Sequence, residues 1–415
     1  MTPTDDNLLK HLDLIHFWEP FDRPINSLRV GIRAIIKDRK EKHKLALEKS
    51  STYSELQCQE FESPLIFSFN TTNQKTALMP LFERLSDKAT LISENLEYTD
   101  EVRSDEYLKI RSLEFSTQMI RWFYTFTGRD RKVFRARFYE FYKRLGQYIH
   151  YHQAFDRSKE KIKGYIASND HSGLSQVGFV AARRSGIPTI YVQHASVSEK
   201  FSPLKATLAL LDGQDAKEKY LWAGPTDSKI HLIGSMKYDH HLNQPEMNEP
   251  GELVGVCIGM AYHDLNENLQ LCQELEKNGV PFCLRFHPLL SPLSKAAFIK
   301  AGWEVSPPDE SALDFVFRCH TVISGDSNIL LEAIILRRRP LYFASDGKGV
   351  DYYGFVKKGV CEKTYFTYQE VIQGLNQEFD LSRHRKKASH FNAVLETDQE
   401  GKSTEKAMEI IETTL

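Results

Sequence analysis

The feature that most constrains this chain is an alternation of short apolar runs, each ending on small polar residues, with amphipathic segments of helix length. In the second half it runs LVGVCIG, a helix from about Asn266 to Asn278, PFCLRFHP, SKAAFIKAG, WEVSP, SALDFVFRC, TVISG, SNILLEAIILRR and PLYFA. Apolar strands separated by helices specify a parallel sheet covered on both faces, because parallel neighbours need a crossover and the crossover is usually a helix.

The first half carries the same signal less evenly. PLIFSFN (Pro64 to Asn70), a helix from about Asn73 to Leu85 and ATLISE open a βαβ unit. GYIASND (Gly164 to Asp170), the helix GLSQVGFVAARRSG and IPTIYVQHAS (Ile187 to Ser196) form a second unit, with Gly186 closing the helix and Pro188 opening the strand. ATLALLDG adds a strand, IHLIGSMKYDHH reads as the last strand and exit, and LNQPEMNEPGE (Leu242 to Glu252) has the composition of a linker. At 415 residues the chain fits two domains, each with its own core. The expectation is an α/β protein of two Rossmann-like domains facing each other across a cleft. Its parts are a helical segment at 1–60, domains at 61–240 and 250–395, and a C-terminal helix at 396–415 that packs back across the first domain.

A net charge of -2 gives no electrostatic reason to expect nucleic acid as a partner. The six cysteines (Cys58, Cys257, Cys272, Cys283, Cys319, Cys361) form no C-x-x-C pair or zinc-spaced cluster, and read as buried thiols in a reducing compartment. The start, MTPTDDNLLKHLDL, lacks the apolar core of a signal peptide, and no run approaches the roughly 20 apolar residues of a membrane span. A cytoplasmic location is expected. Residues 129–149 place Phe134, Phe138, Phe141, Leu145 and Tyr148 at helical spacing among Arg131, Lys132, Arg135, Arg137, Lys143 and Arg144. Two readings stand: a core helix with solvated basic side chains, or peripheral contact with an anionic inner-membrane surface.

Ligands of parallel α/β sheets sit outside the carboxyl ends of the strands. Four strand-end segments are polar there: Asn169-Asp170-His171, Gln193-His194-Ala195-Ser196, Arg285-Phe286-His287-Pro288 and Ser324-Gly325-Asp326-Ser327-Asn328. The last leads directly into a helix, so its small polar residues are expected to cap the helix and turn backbone N–H groups toward a phosphate. Glu332, one turn on, suits ribose hydroxyls, or is a solvated helix residue. His287 and His194 are candidates for phosphate contact and proton transfer, or structural strand-end histidines.

YVQHASVS, LRFHP and SGDSNILLEA, in this order, resemble the Q-H-G, H-P and S/G-x-S-x-x-x-E-A signatures of GT-B glycosyltransferases that build bacterial capsule and lipopolysaccharide, over roughly residues 160–345. The resemblance implies a nucleotide sugar as co-substrate with no other cofactor, and an oligosaccharide or lipid-linked glycan as acceptor. The H-P and serine motifs are similar to those of transferases using CMP-linked acidic sugars of the sialic acid or Kdo type, and of CDP-alcohol phosphotransferases. Carried onto this chain, the donor would meet Gly259, Met260, Arg285, His287, Pro288, Ser324, Asp326, Ser327, Asn328 and Glu332, and the acceptor Asn169, His171, Gln193 and Ser196. Ala195 stands where the pattern has Gly. No D-x-D is present, so metal-independent transfer is expected, with leaving-group charge met by His287, hydroxyls and helix dipole. For an inverting reaction Asp170, then His194, are the candidate bases.

Overall fold

The computed structural model describes residues 61–92, 128, 148, 151–169, 173–197, 201–244, 251–259 and 264–415. The expected helical segment at 1–60 and almost all of the basic aromatic stretch at 129–149 lie outside the described residues, as do Asp170, His171 and Met260.

Two parallel sheets organise the rest. The first contains β1 (Leu65–Ser68), β2 (Ala89–Ile92), β3 (Gly164–Ala167), β4 (Thr189–Val192), β5 (Leu208–Leu211) and β6 (Lys229–Leu232), in the order β2-β1-β3-β4-β5-β6. The second contains β7 (Val254–Ile258), β8 (Phe282–Phe286), β9 (Thr321–Ser324), β10 (Arg339–Phe343) and β11 (Thr364–Tyr365), in the order β11-β10-β9-β7-β8. Every residue of β1, β3, β4, β5, β9 and β10 is buried, as continuous apolar runs covered on both faces require. Edge strand β6 (KIHL) alternates between exposed and half-buried.

Local chemistry sets the helix starts. Thr71, Asp264, Ser291, Ser311, Thr367 and Asp380 each accept a backbone N–H of the first turn through the side chain. Gly186 closes its helix at φ 76°, a conformation that side-chain-bearing residues rarely adopt. WEVSP does not form a strand. Val305 makes one isolated bridge to Leu284, Ser306 N–H donates to the Leu284 carbonyl at 2.7 Å, and Pro307 has no N–H with which to extend the ladder. Among the described residues, β11 and the helices Gln214–Ala223, Tyr368–Leu375 and Leu381–Ala388 had no sequence expectation.

The chain passes between the sheets twice. After β6 it crosses to β7, and after Leu381–Ala388 it returns, so that the helix Ser403–Thr414 lies on the first sheet. Its Ala407 and Ile411 are buried among Leu65, Phe67, Leu78 and Leu81. The Asp239 carboxylate holds the start of this helix, accepting from the N–H groups of Ser403 (3.1 Å) and Thr404 (2.7 Å). The return path presses on the first domain: a Cβ at Gly213 would lie 2.5 Å from the Phe391 carbonyl carbon. Buried Arg385 donates to Glu396 and Glu400 on the return path, and to the carbonyls of Ile334 and Ile335. It thereby ties the end of the helix Ile329–Ile335 to the crossing segment.

Candidate functional site

Strand order locates the site independently of any motif. In an open α/β sheet the ligand crevice opens where successive strands are laid down in opposite directions. That switch lies between β1 and β3 in the first sheet and between β7 and β9 in the second.

At the β1/β3 crevice several polar side chains bond to one another. Ser68 and Ser175 hydroxyls are 3.2 Å apart, Asn70 Nδ2 donates to Ser175 Oγ at 3.4 Å, and Gln74 Oε1 accepts the Asn70 N–H at 2.8 Å. Asn169 is buried at the end of the neighbouring strand. Ser168 Oγ and Gln176 Oε1 are buried with no hydrogen-bond partner among the described residues. The sequence reading identified Asn169 here and missed Ser68, Asn70, Gln74 and Ser175. Asn70 closes the PLIFSFN run, so the strand-end rule, applied to that strand as well, finds it.

One strand further on, after β4, Gln193 is spent on its own loop. Its Nε2 donates to the Ala195 carbonyl at 2.9 Å and its Oε1 accepts the Asp212 N–H at 2.9 Å. This fixes the loop that carries half-buried His194 and Ser196, and it places both ends of the Gln193 amide, expected as a cleft contact, in bonds within the first domain. Ala195 is accommodated in that turn.

At the β7/β9 crevice, half-buried Gly259 ends β7, and Gly325, Asp326, Ser327 and Asn328, all half-buried, follow β9. Ser327 Oγ is a weak cap for the Ile329 N–H at 3.4 Å. Asn328 does not cap the helix with its side chain; it meets Ser196 Oγ of the first domain through Oδ1 and donates from Nδ2 to Glu332 at 3.2 Å. Ser196 and Asn328, 132 positions apart, are thus brought together. Asp326 faces its own domain, accepting from Tyr342 Oη and the Tyr352 N–H at 2.8 Å each. It shapes the loop beyond β10.

Glu332 is not a solvated helix residue. It is buried and receives Lys237 Nζ at 2.7 Å, with side-chain exposures of 11% and 9% respectively. Lys237 belongs to the GSMKYD segment after β6, so this ion pair also joins the two domains. Burial works to lower the pKa of the ammonium, but Glu332 first, then Tyr238 and Asp212, outweigh it and the net shift is upward. Asp212, at the end of β5, is pushed up to about 8, with burial as the main cause and Lys237 and Ser235 opposing it. Lys237 and Asp212 were not identified from sequence. Each sits in a strand-exit segment, and only the folded contact between domains sets it apart from a solvated charge.

Next to β7, the loop after β8 carries His287 and Pro288, both exposed. The His287 N–H donates to the Ile258 carbonyl at 2.9 Å, which binds this loop to the end of β7. Its Nδ1 accepts the Leu289 N–H at 3.2 Å. An imidazole that accepts through Nδ1 carries its proton on Nε2 when neutral, so Nε2–H is the donor presented outward. Desolvation, and then the nearby Lys295, lower the His287 pKa and favour that neutral form. Arg285 is turned away from the strand end, donating to Ser306 Oγ at 2.7 Å and to the Glu310 carbonyl at 3.1 Å. Expected at the donor, its guanidinium here braces the segment before the helix Ala312–Arg318.

Among the described residues no group of three or more His, Cys, Asp or Glu side chains is arranged to hold a metal ion, and no helix is long and apolar enough to cross a membrane.

No protein-family model matches the sequence, and no curated protein matches it. Solved structures do match the fold. The wall teichoic acid polymerase TagF, in a structure carrying an H444N substitution and CDPG, aligns with a TM-score of 0.52 at 12% identity, covering 94% of this chain and 97% of that one. The UDP-GlcNAc 2-epimerase from Neisseria meningitidis bound to UDP-GlcNAc aligns with a TM-score of 0.52 at 13% identity, covering 84% and 99%. The UDP-N-acetylglucosamine 2-epimerase from Rickettsia bellii gives 0.51 at 12% identity, covering 85% and 97%. With its two parallel sheets and these structural likenesses, the chain has the two-domain GT-B fold.

Proposed function

We propose that this protein transfers a group from a nucleotide-activated donor, held at the β7/β9 crevice, to a hydroxyl of a surface-glycan acceptor lodged against the first sheet. The donor is read as a CMP-linked acidic sugar. The observation that carries this reading is the arrangement at the end of the second sheet. Half-buried Gly259 and Gly325–Asn328, with buried Ser324, flank the switch point, and His287 presents a neutral Nε2–H donor from the loop bonded to β7. In the transfer, a base removes the acceptor hydroxyl proton as that oxygen attacks the anomeric carbon, and the bond from that carbon to the CMP phosphate oxygen breaks. His287 donates a hydrogen bond to the departing phosphate, and its stabilisation matters most as charge develops there. His194 is the described candidate for the base; Asp170 is the other.

A second reading has a specific observation in its favour. The likeness to TagF extends over 94% of this chain, against 84% for the Neisseria epimerase. It makes the reaction a CDP-alcohol phosphotransfer, in which the acceptor oxygen attacks phosphorus and CMP leaves.

Thermal stabilisation by CMP, CDP, UDP, GDP and ADP, with and without chelator, tests the donor class. Saturation at 100 times the dissociation constant adds about 2.7 kcal/mol. The expected result is selective stabilisation by CMP that survives chelator and is lost in His287→Ala. Preference for CDP together with a phosphodiester product supports the second reading. Preference for UDP, or no response to any nucleotide, overturns both.

A further inference from the structure

The turn Met236–Tyr238, where the chain leaves the first sheet, is shared between two cores. Met236 belongs to the buried cluster of Phe67, Leu78 and Leu210 on the first sheet. Tyr238 belongs to that of Leu330, Ala333 and Ile334, on the helix that carries Glu332. Lys237 stands between these two anchors, so its place is set relative to both domains. Its ammonium lies over the Tyr238 ring, 4.8 Å from the centroid, and 2.7 Å from Glu332 Oε1.

The bonds of Glu332 are one-sided. Oε1 accepts both from Lys237 Nζ and, at 3.2 Å, from Asn328 Nδ2. Oε2 accepts no hydrogen bond from the described residues, although Glu332 is only 8% exposed. A buried carboxylate oxygen without a donor is costly, and a ligand that supplies hydroxyl groups removes the cost. The same crevice is where the phosphate of the proposed donor would lie. A carboxylate repels a phosphate beside it unless a cation is paired with the carboxylate, and the repulsion grows where water is excluded. Lys237 supplies that cation from the opposite domain. Despite its burial the net shift of its pKa is upward, so it is charged there.

We infer that Lys237 is a positioning residue for the donor: from the first domain it holds and neutralises Glu332, so that Oε2 accepts the ribose hydroxyls of a nucleotide bound at the β7/β9 crevice. The inference rests on the proposed nucleotide-dependent transfer, and adds that the donor site is complete only while the domains keep this contact. The sequence suggested Glu332 for the ribose. That a lysine 95 positions away orients it follows from the fold alone.

Calorimetric titration of the full chain with CMP and with its dideoxy analogue, which lacks both ribose hydroxyls, tests it. The wild type should bind CMP about tenfold or more tightly than the analogue, as expected of hydrogen bonds to a charged group. Lys237→Gln should bind CMP about tenfold or more weakly than the wild type and lose the preference between the two nucleotides. Lys237→Arg keeps the charge and a donor, and should retain the preference. A purely structural lysine would alter the melting temperatures of these variants and leave the preference untouched. Should Lys237→Gln fail to fold, the double variant Lys237→Met/Glu332→Leu leaves no charge unpaired and should bind the two nucleotides alike. Equal binding of the two by the wild type overturns the inference. So does an unchanged preference in Lys237→Gln or in the double variant, or tighter CMP binding by Lys237→Gln. Each of these outcomes leaves the nucleotide site of the proposed function standing, whereas binding of neither nucleotide by the wild type overturns both.

Discussion

At the β1/β3 crevice, Ser68, Asn70, Gln74 and Ser175 bond among themselves, all within the first domain. At the β7/β9 crevice, Asn328 and Glu332 reach out of their own domain, to Ser196 and to Lys237. Both crevices arise from the same reversal of strand order, yet one is preassembled and the other is completed by the opposite domain. The difference assigns different physics to the two halves of the site. The bonds described at the first crevice lie within one domain, whereas at the second a donor that uses Asn328 or Glu332 meets groups already bonded to Ser196 or Lys237. Arg385 extends the linkage, since it joins the end of the same helix to the return path that presses on Gly213.

The largest effect that would break this comparison is expected at Lys237. Lys237→Met leaves Glu332 buried without its cation and should cost about 3–5 kcal/mol in urea unfolding. Lys237→Met combined with Glu332→Leu should recover most of that loss. If the single variant is as stable as the wild type, the second crevice does not depend on the other domain.

A pH series sharpens the same point with a smaller effect. The folded-state pKa of Asp212, about 8, lies above its unfolded value, so the folded protein retains a proton that the unfolded chain has released. The resulting stability is complete below about pH 4 and is lost as pH rises through the folded value. The facing groups are Lys237 and Ser235, with Glu332 behind Lys237. Melting temperatures of the wild type should therefore fall more between pH 5 and pH 8.5 than those of Asp212→Asn. Parallel curves for the two proteins would place Asp212 in an ordinary solvated environment.

The smallest effect belongs to the first crevice. Ser168 Oγ is buried without a partner among the described residues, so Ser168→Ala should change stability by less than about 1 kcal/mol, toward greater stability. A loss of 2 kcal/mol or more in a chemical denaturation curve would mean that the hydroxyl is satisfied, and that this crevice also depends on something beyond its own residues.

Much of the fold was legible because its signals are local. Apolar runs of strand length, caps such as Ser311 and Asp264, and the closing glycine Gly186 act within a few residues, and each appears where periodicity places it. WEVSP misled because strand-like composition carries no account of the proline that ends the ladder. At the site, the strand-end rule found the loops around Gln193, His287 and Ser324–Asn328, since topology puts strand ends there whatever the side chains do. It did not find which atoms are spent. Arg285 and Gln193 look like ligand contacts in sequence, and the fold commits them to Ser306, Glu310, Ala195 and Asp212.

By itself the sequence determined two doubly wound sheets, the helices between them and the polar strand ends, because backbone periodicity and capping are short-range properties. Only the tertiary structure decided that Lys237 meets Glu332, that Ser196 meets Asn328 across 132 positions, and that the return path holds Gly213 against Phe391. Those contacts depend on how two separately formed domains are brought together. The charge state of a group such as Asp212 follows from the water that this assembly excludes.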